Sequence, residues 1–138
     1  MADTGGLLRA LARAPDGAAA WPDFASSLVA ASRIVVPDVV LVEVDYFLRR
    51  ERGAMRKLVA DILAPETTYE LAMTEPVDLV RALHIDARFA SLELGLVDSV
   101  VCALAERHGI HRVLTTDVRD FTAVRIGARY ERALTIVP

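Results

Sequence analysis

The amino-acid sequence predicts an α/β domain in which helices cover both faces of a short, mainly parallel sheet. Short β-branched segments, such as 34–36 and 112–116, alternate with longer segments of helical periodicity. The 138 residues contain no internal repeat, low-complexity tract or linker. A chain of this length is usually one domain and is long enough to bury a core. Residues 1–138 are therefore predicted to form a single unit.

The order of the elements follows from the spacing of apolar residues and from the residues that end helices. The first half is predicted to contain helices over 5–13 and 18–31, a strand over 34–36, and helices over 38–52 and 54–64. The second half is predicted to contain a strand over 68–71, helices over 74–89 and 97–108, and strands over 112–116 and 134–137. Pro15, Gly53, Pro65 and Gly109 are the expected stops.

Composition narrows the class of protein. Apolar residues make up 54% of the chain, which indicates much buried sheet or an apolar surface that meets a partner. No apolar run reaches the ~18 residues of a membrane helix, and the N-terminus has no signal-peptide pattern, so we expect a cytoplasmic protein without membrane association. The single cysteine, Cys102, excludes an internal disulfide and a cysteine zinc site, and is expected in the core.

The charge pattern gives only a weak indication of a nucleic-acid partner. The formal net charge is -3, whereas nucleic-acid-binding domains are typically basic. Lys57 is the only lysine among the 16 basic residues. Arginine is suited to bidentate phosphate contacts, although a GC-rich genome would enrich arginine as well.

Four carboxylates occupy positions that call for an explanation. Asp3 and Asp117 lie at predicted strand ends, where open α/β sheets bind their ligands. Glu43 and Asp98 each interrupt an apolar helical run, and a buried carboxylate costs free energy unless it is paired or bound to metal. Each also has an ordinary structural interpretation: the three aspartates as helix caps or turn residues, and Glu43 on a solvated strip beside Arg50.

Taken together, the four acids favour a metal site. Carboxylates that converge on one crevice repel one another and raise each other's pKa values. Mg²⁺ and Mn²⁺ accept such oxygen ligands, and the bound ion can activate water for attack on a phosphodiester. The three histidines, His84, His108 and His111, do not have the arrangement expected of a zinc site.

Four segments resemble, in order, the motifs of PIN-domain proteins, and most closely those of the VapC branch. They are Asp3-Thr4-Gly5-Gly6-Leu7-Leu8 and the segments 37–44, 94–99 and 114–121. The resemblance implies a PIN-like three-layer α/β/α fold and a toxin ribonuclease that uses one or two Mg²⁺ or Mn²⁺ ions. It also implies a homodimer, and a VapB-like antitoxin that covers an apolar groove.

The same resemblance assigns roles to individual residues. The carboxylates assigned to metal binding and catalysis are Asp3, Glu43, Asp98 and Asp117. Thr4 and Thr116 would support phosphate or water behind the metal ligands. Asp120 would be either a fifth acid at the site or a cap for the turn at Phe121. The family's first strand precedes the opening aspartate, whereas only Met1 and Ala2 do so here, so this strand is either very short or shortened at its start.

Two further sets of residues are candidates for contacts with other molecules. Arg9 and Arg13 lie one helical turn apart near Asp3, and Arg119 follows Asp117, so these three arginines are candidates for phosphate contacts. Ordinary solvated arginines are the alternative for each. The candidate groove residues are Val40, Tyr46 and Phe47, with a core position as the alternative for at least one of them.

Three rival functions were compared with this prediction. A haloacid-dehalogenase-like phosphatase needs a second aspartate two residues after the first, where Gly5 stands, and a catalytic lysine. A receiver domain needs a lysine at the end of a strand, whereas Lys57 lies in the middle of a predicted helix. The non-enzyme alternative is a PIN-like module that binds RNA or a protein partner without cleavage.

Overall fold

The computed structural model describes all residues from Met1 to Pro138. The chain forms seven α-helices and six strands. The helices are α1 (Thr4–Leu11), α2 (Pro22–Ala30), α3 (Asp38–Phe47), α4 (Arg52–Leu63), α5 (Pro76–Arg88), α6 (Gly95–Arg107) and α7 (Val118–Ala123). The strands are β1 (Ile34–Pro37), β2 (Tyr69–Ala72), β3 (Arg112–Leu114), β4 (Arg125–Ile126), β5 (Arg132–Ala133) and β6 (Thr135–Val137). The predicted α/β class is confirmed.

The first residues of the chain connect two pairs of parallel strands. β1 pairs with β2 and β3 pairs with β6, each in parallel. The Ala2 amide donates to the Val35 carbonyl (2.8 Å), while the Leu114 amide donates to the Met1 carbonyl (2.9 Å) and the Asp3 amide to the Leu114 carbonyl (3.0 Å). The strand that precedes Asp3 is therefore very short but present, and it lies between β1 and β3.

The core is dominated by α6 and by the strands that it covers. Every residue of α6 from Ser99 to Ala105 is buried, and all four residues of β1 are buried. Cys102 is fully buried, as predicted. A capping box formed by Glu75 and Asp78 begins α5, which packs against α6. No helix has the length and apolar character needed to cross a membrane.

Two predicted helix boundaries differ from the structure. The helix predicted over 38–52 ends at Phe47, and Gly53 lies inside the first turn of α4 instead of stopping a helix. The helix predicted from residue 18 begins at Pro22, because proline is favoured in a first turn and because the preceding chain folds back on itself, with Arg13 bridged to Ala19.

The predicted strand over 112–116 is shorter in the structure, and the final third of the chain contains additional elements. β3 ends at Leu114, and the next residue, Thr115, uses its side chain to accept a hydrogen bond from the Asp117 amide. The short helix α7 and the antiparallel pair β4–β5 were not predicted. Elements of two to six residues carry too few apolar positions to show a period in the sequence.

Gly6 allows α1 to pass directly over the end of β3. A Cβ atom placed on Gly6 would lie 2.7 Å from the Thr115 amide nitrogen and closer still to the Leu114 carbonyl. Both neighbours are backbone atoms, which cannot rotate away as a flexible side chain can. The absence of a side chain at Gly6 is thus what brings the start of α1 and the end of β3 together.

We predict that Gly6→Ala lowers the free energy of unfolding by at least about 2 kcal/mol, the usual scale of overpacking in a core. Urea denaturation of the purified variant measures this change. Gly53→Ala is the matched control, because a Cβ there meets no atom within 4 Å and alanine is the better helix former. Equal stability of the two variants would contradict the proposed close contact.

Candidate active site

Four acidic side chains come from four different parts of the chain. Asp3 follows the first strand segment and begins α1, and Asp117 is the N-cap of α7 just after β3. Glu43 lies in α3, which starts directly after β1. Asp98 lies in the first turn of α6. Because strand ends and the helices that follow them meet at one edge of a parallel sheet, the fold brings these distant residues together.

Thr115 connects two of these acids. Its hydroxyl donates to Asp3 Oδ2 at 2.7 Å and accepts from the Asp117 amide at 3.0 Å. The side chain is almost completely buried, so both hydrogen bonds are shielded from water. Thr115 thereby fixes the orientation of the Asp3 carboxylate relative to the start of α7.

Thr116 was predicted to lie behind the metal ligands, whereas Thr115, which contacts Asp3, was not predicted. In the structure the Thr116 side chain packs against Gly5, where a Cβ atom would overlap the threonine hydroxyl. The missed signal was a polar residue at a buried strand end, two positions before Asp117. A buried hydroxyl needs a hydrogen-bond partner, and the neighbouring acid supplies it.

Thr4 orients the acid on α3. Its hydroxyl donates to Glu43 Oε2 at 2.5 Å, and Thr4 itself is buried at the start of α1. Glu43 is half-buried, so one side of its carboxylate group is held by the fold while the residue keeps access to solvent. The structure therefore places Thr4 in contact with one of the four acids. Its support of phosphate or water behind the metal ligands stays a prediction.

The electrostatics of Asp98 show that the acids converge. Burial, followed by the negative charges of four neighbouring carboxylates, raises the pKa of Asp98 to about 7. Those neighbours are Asp3, Asp117, Glu43 and Asp120. The pKa of Asp3 is also raised, first by burial and to a smaller extent by the charge of Glu43, while the Thr115 hydrogen bond opposes the rise. The pKa of Asp98 is therefore raised by the charge of every other acid in the cluster.

Asp120 is a fifth acid near Asp98, and it has its own counter-ion. Both of its oxygens accept from Arg119, at 2.7 Å from Nε and 3.1 Å from the terminal nitrogen. This ion pair lowers the pKa of Asp120. The alternative in which Asp120 caps the turn is wrong, because the cap is Asp117, whose Oδ1 accepts from the Asp120 amide at 3.0 Å.

The model of the PIN domain family matches residues 1–127.

The chain belongs to the PIN domain family. It is 30% identical to ribonuclease VapC26 of Mycobacterium tuberculosis over 139 residues, which cover 99% of this chain and 98% of the relative. Among solved structures it resembles the crystal structure of Mycobacterium tuberculosis VapC20, described as a sarcin-ricin loop cleaving toxin. That comparison has a TM-score of 0.71 and 18% identity, covering 86% of this chain and 90% of the other, and it supports the fold.

The donor set of the PIN domain fits a hard divalent cation. None of the acids Asp3, Glu43, Asp98 and Asp117 takes part in a salt bridge, so their charges are not neutralised by the chain. All of their donor atoms are carboxylate oxygens, the ligands that Mg²⁺ and Mn²⁺ prefer. No three of these side chains are arranged closely enough to hold an ion as they stand. Rotation of these side chains would be needed to bring three oxygens around one ion.

The three candidate arginines occupy different environments. The Arg9 guanidinium lies over the ring of Trp21, 4.3 Å from its centroid, and 5.4 Å from that of Phe24. Arg13 is exposed but lies beyond the end of α1, in a bridge with Ala19, so the prediction that it shares the first helix with Arg9 is wrong. Arg119 is 79% exposed, although its fork is bound to Asp120. Only Arg119 is therefore in direct contact with the acidic site.

The pH dependence of stability tests the charge repulsion at Asp98. Its raised folded pKa means that the folded PIN domain holds this proton more tightly than the unfolded chain does. Its contribution is complete below about pH 4 and is lost as the pH rises through about 7. We predict that Asp98→Asn, which removes the charge, melts above the wild type near pH 8, and that this difference shrinks towards about pH 5.

The difference between the two proteins is the informative quantity. Burial, followed by the charges of Arg33 and Arg112, lowers the pKa of the Met1 amine to about 6, which favours the fold as the pH rises from about 6 to 8 in both proteins. That effect cancels in the comparison. Melting curves of the metal-free proteins provide the measurement, and a constant difference across this range would contradict the prediction.

Proposed function

We propose that this PIN domain is a Mg²⁺- or Mn²⁺-dependent endoribonuclease that acts as the toxin of a toxin–antitoxin pair. The observation that carries the proposal is the convergence on Asp98 of Asp3, Glu43 and Asp117, since none of these four acids forms a salt bridge. The similarity to a VapC ribonuclease along nearly the whole chain supports RNA as the substrate class.

The residues proposed to hold the ion are Asp3, Glu43, Asp98 and Asp117. When bound, the ion would neutralise the cluster, lower the pKa of a coordinated water and stabilise charge at the phosphodiester. The contribution of the chain is orientation. Thr115 holds the Asp3 carboxylate and Thr4 holds that of Glu43, so two of the four ligands are fixed before substrate arrives. In the reaction a water oxygen bonds to phosphorus while the bond from phosphorus to the leaving ribose oxygen breaks.

A PIN module that binds RNA or a protein without cleavage is the second candidate. It is favoured by one observation, namely that no three acidic side chains are arranged to hold an ion. The two candidates differ in a measurable way, because only the nuclease requires the cluster to bind a cation tightly enough for catalysis.

We predict that Asp98→Asn reduces metal-dependent RNA cleavage by at least about a hundredfold, because it removes a ligand charge while keeping the side-chain shape. The measurement is cleavage of a labelled RNA by purified protein with millimolar Mn²⁺ and with a chelator. Millimolar Mg²⁺ or Mn²⁺ should also raise the melting temperature of the wild type, since the ion binds the folded cluster.

Asp86→Asn is the matched control for this variant, because Asp86 is a half-buried helical aspartate in α5 outside the cluster. A folded Asp98→Asn protein with full cleavage activity would defeat the proposed site. A wild type that neither cleaves RNA nor gains stability from either ion would favour the binding module.

Arg119 is the best supported phosphate contact of the three arginines. Asp120 binds two of its nitrogens, Nε and one terminal nitrogen, and leaves the other terminal nitrogen free to donate. A guanidinium held in this way has already lost much of its side-chain entropy, so less is lost when it binds a phosphate. Arg9 on α1 and Arg13 just beyond it are proposed to add to this basic contribution.

We predict that replacing Arg9, Arg13 and Arg119 by glutamine lowers the salt dependence of RNA binding by up to about 2 units in log–log slope, from ~0.7 per phosphate contact on single strands. Binding is measured by titration in the Asp98→Asn background, where RNA stays intact. Arg56→Gln, at an exposed arginine on α4, is the control. A triple variant with an unchanged slope would show that the RNA follows another path.

The exposed apolar side chains support partner binding. Val77, Val80 and Leu83 form a stripe on α5 with exposed fractions of 60%, 54% and 60%. Tyr46 and Phe47 are exposed at the end of α3, whereas Val40 is fully buried, so its assignment to a groove is wrong. We propose that the α5 stripe forms the homodimer and that Tyr46 and Phe47 contact a VapB-like antitoxin.

Light scattering tests the proposed dimer. We predict that the wild type is dimeric and that Val80→Glu with Leu83→Glu gives a folded monomer, because two charges would be buried at the interface. Leu63→Glu is the control, since Leu63 is 69% exposed on a different helix. A double variant that remains dimeric would exclude the α5 stripe as the interface.

A further inference from the structure

A cavity lies beside the sheet, next to the starts of β1 and β3. Its volume is about 670 Å³, within the range of roughly 300–1,000 Å³ typical of small-molecule sites. Its wall includes the starts of two strands, at Ile34 of β1 and Arg112 of β3, and it also includes Ala2, Leu114 and Val137. None of the four proposed metal ligands contributes to its wall.

The helix that covers this cavity is loosely packed. α2 contacts α1, yet none of its residues is fully buried. Three of the four α2 residues that line the cavity are small, namely Ser26, Ser27 and Ala30, and the fourth is Leu28. Nine of the fifteen lining residues are apolar. Small side chains along α2 leave an apolar space beneath the helix that no side chain of the protein fills.

Two arginines supply the side-chain charge of the cavity. Arg33, His111 and Arg112 line it, and no aspartate or glutamate does. Arg33 is engaged by Glu70 through two hydrogen bonds, at 2.7 and 2.9 Å. Arg112, in contrast, forms no salt bridge within the chain, so its guanidinium is available to a ligand.

We propose that this cavity binds a small amphipathic anion, an aliphatic or aromatic carboxylate whose apolar body lies under α2 and whose charge pairs with Arg112. An apolar wall favours burial of the ligand body, and a cation without an acidic partner favours a negative head group. A fully polar anion would leave the apolar wall unfilled, and a neutral apolar ligand would leave Arg112 unpaired. The site is independent of the proposed nuclease centre.

Decanoate and decanol provide a matched pair of probes, because they share a chain length and differ in charge. We expect saturable binding of decanoate with one molecule per chain in calorimetry of the full-length protein. We expect decanol to bind at least about tenfold more weakly, the effect of losing one charge-assisted hydrogen bond. Equal affinity of the two probes, or no saturable binding of decanoate at millimolar concentration, would overturn the proposal.

Two variants locate the binding. Arg112→Gln should weaken decanoate binding by about tenfold and leave decanol unaffected, since only the charge is removed. Ser27→Phe should abolish binding of both probes by filling the space under α2. Arg56→Gln is the control for a general loss of positive charge. Decanoate binding that survives both Arg112→Gln and Ser27→Phe would show that it occurs elsewhere.

A folding test keeps the result interpretable. The side chain of Arg112 is exposed, so we expect Arg112→Gln to keep the wild-type melting temperature. A loss of binding in this folded variant then cannot be caused by unfolding. If RNA cleavage fails in the wild type while decanoate still binds with the expected variant pattern, the nuclease proposal falls and the cavity proposal stands. The opposite outcome overturns the cavity proposal alone.

Discussion

The structure depends on the insertion of the first three residues between β1 and β3. Hydrogen bonds from this segment to Val35 on one side and to Leu114 on the other connect what would otherwise be two separate strand pairs. Because the segment ends at Asp3, the same pairing that completes the sheet fixes the position of an acid at its carboxyl edge. Gly6 then lets α1 cross the backbone of β3 closely enough for Thr115 to reach that acid.

This arrangement concentrates negative charge where the fold cannot neutralise it. Asp98 lies on a helix that is buried along most of its length, and four other carboxylates act on it. One of those four, Asp120, is compensated by Arg119, whereas the other three have no cationic partner. A chain with 16 basic residues could have provided salt bridges here, and elsewhere it does so, as between Arg81 and Glu106. Uncompensated acids that cost stability are typical of functional sites, where a ligand restores the balance.

The two ends of the sheet thus differ in chemical character. The carboxyl end carries acids and two orienting threonines, and the amino end carries arginines around an apolar cavity under α2. The difference follows from the topology, since parallel strands place all their starts at one edge and all their ends at the other. The starts and the ends of the strands of one sheet can therefore differ in charge.

The sequence by itself determined the fold class and the order of the long elements, and it identified the four acids as candidates, because long periodic segments and charges inside apolar runs are visible in one dimension. Only the tertiary structure decided that Thr115, rather than Thr116, orients Asp3, and that Val40 belongs to the core. It also decided that Asp120 pairs with Arg119, and it showed α7 and β4–β5, which are too short to carry a period. Packing in three dimensions sets the direction of a side chain at a strand end. It also sets the distance between residues more than a hundred positions apart, such as Asp3 and Thr115.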